Sequence, residues 1–262
     1  MSSGLLGVHV GPGSSAAMGR AAERLERALA DSGVGIGDEV VMPSFAAPDV
    51  AHAVRAAGAT PVFADIDAAS FCLSAESVAD AITPATAVIL PVHQFGHRAD
   101  LAAIGETARR HGLLLLDHEE DESPAAEILR RQANAAFLSA RLRGVGTPRV
   151  ATGASHTYQQ YVVRVPGNGR PDRDAFAMVL RGKGIACRVP VQTPLHRTPG
   201  FRRDLWLPET ERAADECLAL PFGASSSRRE LQRLVSVCNA LGGLLRPVPR
   251  QGSGRERSGA RV

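Results

Sequence analysis

The sequence predicts an α/β protein: a mostly parallel sheet with flanking helices, followed by a smaller α+β domain. Three observations carry this expectation. Short apolar runs alternate with amphipathic stretches at βαβ spacing through the first half. Past Gly144 that alternation gives way to one half-exposed strand pattern among several helices. The ionisable residues of the first half also collect just after its apolar runs, where an open parallel sheet gathers ligands.

Taken in order, Leu5–Val10 reads as a strand running into Gly11-Pro12-Gly13-Ser14-Ser15, and Ala16–Ala30 as a helix. A glycine- and hydroxyl-bearing turn before a helix can cradle a phosphate, which makes Ser14 and Ser15 ligand-binding candidates. Gly35–Pro43 gives a turn and strand, Asp49–Ala57 a helix closed by Gly58, Thr60–Asp65 a strand and Ala75–Ile82 a helix. Ala87–Val92 and Leu113–Leu116 are apolar runs of the kind a parallel sheet buries on both faces. Between them, Leu101, Ile104 and Ala108 fall at helical spacing, with Arg109, Arg110 and His111 in the last turn and Gly112 as the stop. Ala125–Arg143 is an amphipathic helix. The second half predicts a strand over Tyr158–Val165, a helix over Arg173–Arg181, a strand over Ile185–Val191, and helices over Glu209–Ala219 and Arg228–Leu241. The domains expected are 1–124, a connecting helix 125–147, a small domain 148–246, and a Gly-, Ser- and Arg-rich tail 247–262 without fixed structure.

Composition narrows the function classes. With 44% hydrophobic and 22% charged residues over 262 positions, the chain reads as an ordinary globular protein. A net charge of +3 with 4% aromatic residues does not make a nucleic-acid face. No apolar run reaches membrane-span length, and the start does not read as a signal peptide. Cys72, Cys187, Cys217 and Cys238 are scattered without a CxxC pair, which predicts reduced core thiols in a cytoplasmic protein. Lysine occurs once, at Lys183.

The blocks Gly37–Phe45, Ala57–Asp67 and Pro91-Val92-His93-Gln94-Phe95-Gly96 resemble the DegT/StrS family of pyridoxal-phosphate (PLP) sugar aminotransferases, which have the type I aminotransferase fold. Tyr158–Arg164, Gly184–Val189, Pro194-Leu195-His196 and Glu211–Pro221 resemble the family's small domain, so the likeness runs in order from Ser14 to Leu241. The resemblance implies a shortened large domain. The family's Schiff-base lysine lies beyond the strand at Leu113–Leu116, whereas here the chain passes from Asp121-Glu122-Ser123-Pro124 almost directly into the next helix. By the same likeness the cofactor's pyridine carboxylate position is His118, its stacking aromatic is Ala47, and a His-Tyr pair is Pro190-Val191.

These departures lead to the expectation that PLP binding and transamination are lost. His93, Asp117, His118, Glu119 and Glu120 then become candidates for a cofactor-independent acid/base site, since crowded carboxylates and imidazoles move one another's proton affinity. A divalent cation could bind through Asp117, Glu119 and His93; a solvated acidic loop is the other reading. Gln94, Arg188 and His196 complete the ligand-binding candidates. His52 reads as a surface residue, and His97 and Arg98 as capping or surface residues. The partner expected is a small sugar or antibiotic-pathway intermediate, with the chain a homodimer or a heteromer with a full-length aminotransferase. A non-catalytic stabiliser of such an enzyme, a lysine-less pyridoxamine-phosphate dehydratase, and a degenerate fragment stay open as alternatives.

Overall fold

A computed structural model describes residues 15–117, 123–151, 153–167 and 172–242. The expected strand at Leu5–Val10 and the tail from 247 lie outside them.

The first half is a parallel sheet. Its strands are β1 (Glu39–Pro43), β2 (Thr60–Ala64), β3 (Thr86–Ile89) and β4 (Leu114–Leu115), in the order β2-β1-β3-β4. All three pairings are parallel. β1 is central and buried on both faces. Val40 and Met42 point into a core with Leu25, Leu29, Val50 and Val54, while Val41 points into a second core with Ile89, Ile104 and Val78. The first core lies beneath α1 (Ser15–Asp31) and α2 (Pro48–Ala56), the second beneath α3 (Ala75–Ala81) and α4 (Leu101–His111).

Local sequence explains the ends of these elements. α2 starts on Pro48, whose missing N–H costs nothing in a first turn. Asp100 caps α4 by accepting the Ala103 N–H at 3.0 Å, and Gly112 closes it in the left-handed region at φ 67° behind a basic last turn.

The second half starts with α5 (Ala125–Ser139), whose Ala135, Phe137 and Leu138 join a core with Tyr161, Phe176, Leu180 and Leu234. β5 (Tyr161–Arg164) and β6 (Cys217–Leu220) pair antiparallel, flanked by α6 (Asp172–Gly182), α7 (Pro208–Glu216) and α8 (Arg228–Gly242). Two expectations are corrected here. The helix expected through Ala219 ends at Glu216, and Cys217–Leu220 is a strand because all four residues are buried and their backbone is claimed by β5. Ile185–Val191 is not a strand. Only Arg188 pairs, exchanging both backbone hydrogen bonds with Ala219, and Pro190 follows with no N–H to give. The four cysteines are free and buried, as their spacing suggested.

The halves are joined through strand ends. Asp65, just past β2, accepts the Thr210 N–H at 2.8 Å and the Glu209 N–H at 3.0 Å, so a carboxylate of the first half caps α7 of the second. Asp65→Ala is expected to cost about 1–2 kcal/mol, read as a lower urea midpoint at unchanged slope; an unchanged midpoint would show the cap to be dispensable.

Candidate active site at the carboxyl ends of the strands

Three strand ends converge. Directly after β1 comes Ser44, fully buried, whose hydroxyl lies 2.7 Å from His196 Nδ1 and accepts the His196 backbone N–H at 3.0 Å. That second bond leaves the hydroxyl proton for Nδ1, so the neutral ring carries its own proton on Nε2, 3.3 Å from Glu211 Oε1. Burial pushes His196 below the ordinary histidine range, helped by nearby Arg197 and opposed by Glu211. Arg197, bonded to Glu211, draws that carboxyl down in turn. Hydroxyl, imidazole and carboxylate stand in the order of a nucleophilic relay, but Ser44 and His196 have no exposed surface. They clamp the short 3₁₀ turn Leu195–Arg197 onto β1, and Leu195 N–H donates to Ser44 O at 3.0 Å.

From the end of β3 come His93 and Gln94. The His93 ring accepts the Ala99 N–H at Nδ1 (3.0 Å), and its Nε2 stands 3.0 Å from Asp117 Oδ1 beyond β4. The expected His93–Asp117 juxtaposition is therefore present, with both side chains mostly buried (7% and 14% exposed). Gln94 is buried and donates through Nε2 to Phe45 O at 2.6 Å.

The turn after Gln94 is held tightly. Phe95 and Gly96 are both left-handed, at φ 59° and 102°. A Cβ on Gly96 would lie 2.6 Å from Tyr158 N and 2.9 Å from Gln159 N, so the incoming 156–160 segment requires glycine there. That segment gives Thr157 N–H to Gly96 O and Gln160 N–H to Phe95 O.

His97 corrects an expectation. It is buried, not a cap or surface residue; its ring lies 3.9 Å from His156, which stacks on Tyr158 at 3.8 Å. Burial pushes His97 down to about 4 against the pull of Asp67, and pushes His156 down to about 3, aided by His97. His52 is exposed, as expected, and meets Phe201 edge-on.

The remaining candidates do not join this cluster. His118, Glu119, Glu120 and Ser14 lie outside the described residues, and Ser15 opens α1 with its side chain outside them. Among the described residues no three His, Cys, Asp or Glu side chains converge as metal ligands. Arg188 is exposed and faces a separate cleft of about 270 Å³ with Gln159, Gln160 and Phe222. Ser44, Asp65, His156 and Glu211 were missed. Ser44 and Asp65 each directly follow an apolar run, which is the signal that could have found them.

The sequence model of the DegT/DnrJ/EryC1/StrS aminotransferase family matches residues 6–121 and 122–239. The chain belongs to this family. The erythromycin biosynthesis sensory transduction protein EryC1 of Saccharopolyspora erythraea is 45% identical over 310 aligned positions, covering 85% of this chain and 84% of that protein. Among solved structures, DesV of S. venezuelae with a ketimine intermediate superposes with TM-score 0.76 at 23% identity, covering 84% of this chain and 82% of that one. NtdA of Bacillus subtilis with bound pyridoxamine phosphate gives 0.74 at 19% identity, covering 85% and 72%. No helix among the described residues is long and apolar enough to cross a membrane.

These matches correct the functional expectation. An abandoned transamination, a missing catalytic lysine, a lost PLP site and a PLP-independent acid/base enzyme in its place were read from the short passage between Asp121-Glu122-Ser123-Pro124 and the next helix, together with departures at Ala47, His118 and Pro190-Val191. The DegT/DnrJ/EryC1/StrS aminotransferase match instead extends over both halves, and the fold is shared with chains that hold a ketimine or pyridoxamine phosphate. Cofactor binding is distributed over many contacts, so a few changed positions do not measure its loss.

Two outcomes test the geometry. Gly96→Ala should destabilise by about 2 kcal/mol or more, seen as a lowered denaturant midpoint. Because the folded-state pKa values of His97 and His156 lie below the ordinary 6.5, their contribution is complete above pH 6.5 and falls as pH drops toward 4 and 3. Each should remove about 1.4 kcal/mol per pH unit at most. A thermal midpoint flat from pH 6.5 to 5 would contradict their buried neutral state.

Proposed function

We propose that this chain acts in PLP-dependent amino transfer onto a small sugar or related secondary-metabolite intermediate. The observation that carries the proposal is the aminotransferase-family match over 6–121 and 122–239, together with the 45% identity to EryC1 over most of both chains. His93 and Asp117 are the proposed proton-handling pair, since the Ala99 N–H holds the imidazole at Nδ1 with Nε2 3.0 Å from the carboxylate. Gln94 and His196 shape the site wall from behind.

The described strand-end residues offer carboxylate, imidazole, carboxamide and hydroxyl groups but no amine. Lys183, the chain's only lysine, is exposed just past α6, with its carbonyl held by Arg233 at 2.8 Å.

We also infer an internally shortened large domain, within a division at 1–124, 125–147 and 148–246. In support, the family match breaks between the adjacent residues 121 and 122. The 310-position alignment with EryC1 takes in only 85% of this 262-residue chain. The proposed assembly is a homodimer or a heteromer with a full-length relative. Its support is β4, a strand of two half-buried leucines at the sheet edge.

The test is a PLP titration of the purified protein followed by absorbance, then amino transfer from an amino-acid donor to a keto-sugar. A saturable band and turnover are expected, and His93→Asn or Asp117→Asn should lower turnover about 100-fold while the thermal midpoint stays near that of the parent. Neither band nor turnover would overturn the proposal.

A further inference from the structure

A second cavity, of about 330 Å³, opens between the halves beside the loop after β2. It falls in the size range of small-molecule sites, roughly 300–1,000 Å³. Its floor is apolar, Phe71 and Val162, with exposed Ala68 and Ala69 at the rim. Three arginines and two glutamates surround that floor, so the lining carries one more positive than negative charge.

Those charges are not equally free. Arg164 is committed: it meets Glu216 at 3.2 Å, donates to Ala68 O at 2.8 Å, and lies over the Phe71 ring at 4.6 Å. Arg212 pairs with Glu209 at 3.0 Å. Arg149 is exposed and has no hydrogen-bond or ion-pair partner among the described residues. The cavity therefore combines an apolar floor with one uncommitted guanidinium at its mouth.

We propose that this cavity binds a small monocarboxylic acid with an apolar or aromatic body, its carboxylate on Arg149 and its body against Phe71 and Val162. A planar carboxylate suits the guanidinium fork, and one free cation matches a single negative charge better than a phosphate dianion. The site shares a wall with the strand ends. Phe71 packs on Phe95 and Phe45 at centroid distances of 5.5 and 6.1 Å, and Phe45 supplies the carbonyl that holds Gln94. An occupant on Phe71 would thus press on the residues that fix Gln94.

Calorimetric titration of the purified chain with benzoate, without cofactor, tests this independently of the amino-transfer reading. Saturable benzoate binding is expected, with benzamide weaker by about tenfold or more. Arg149→Gln should weaken benzoate by about the same factor and leave benzamide unchanged. Ala69→Trp, at an exposed lining position, should abolish binding of both without moving the ligand-free thermal midpoint. Absent benzoate binding, equal affinity for benzamide, indifference to Arg149→Gln, or tighter binding of inorganic phosphate would each overturn the proposal.

Discussion

The structure depends most on the hydrogen-bonded chain from Ser44 through His196 to Glu211, sealed from solvent at its Ser44–His196 link. A buried polar chain is stabilising only when every donor and acceptor is used. Removing one member leaves the others desolvated and unpaired. Here the members come from β1, the Leu195–Arg197 turn and α7, so the docking of the second half is written into the end of the central strand. Asp65 repeats the device one strand over, by capping α7. Between these two attachments lie Phe45, Ile66, Phe71 and Phe95, packed against Val162, Ala213 and Cys217. Polar bonds fix the register of that interface, and apolar burial makes it persist.

The same arrangement explains why polar side chains meet at the strand ends. His93 and Asp117 meet because β3 and β4 are parallel neighbours whose ends lie level, with Ile89 opposite Leu115. The left-handed turn at Phe95 and Gly96, just past His93, then takes the backbone hydrogen bonds of the 156–160 segment. Catalytic geometry in such a fold is set by register in the sheet and by which segment is admitted over its edge.

Much of the sheet was legible in the sequence. Short apolar runs such as Ala87–Val92 read as buried strands, of which Thr86–Ile89 forms one, and the spacing of Leu101, Ile104 and Ala108 with the Gly112 stop gives α4 as observed. Strand ends are equally legible, and the two side chains expected there, His93 and Asp117, do lie together. Contacts between residues 152 positions apart, as in Ser44–His196, leave no local trace. Cys217–Leu220 has the same difficulty: its apolar run continues the helical pattern before it, and only pairing with β5 decides its state. The functional misreading had a similar origin. Loss of the cofactor was inferred from an absent segment and a few changed positions, whereas the family match extends through both halves.

The buried cysteines carry a consequence for how the molecule ages. Burial raises Cys72, Cys217 and Cys238 to about 12 each, and raises Cys187 as well. At neutral pH almost none of these thiols is a thiolate, and none presents its sulfur to an oxidant. Oxidative damage must therefore wait for the chain to open. Cys72 lies in the core of the first half and Cys187 and Cys238 in that of the second, so the order in which they are modified would record which half opens first.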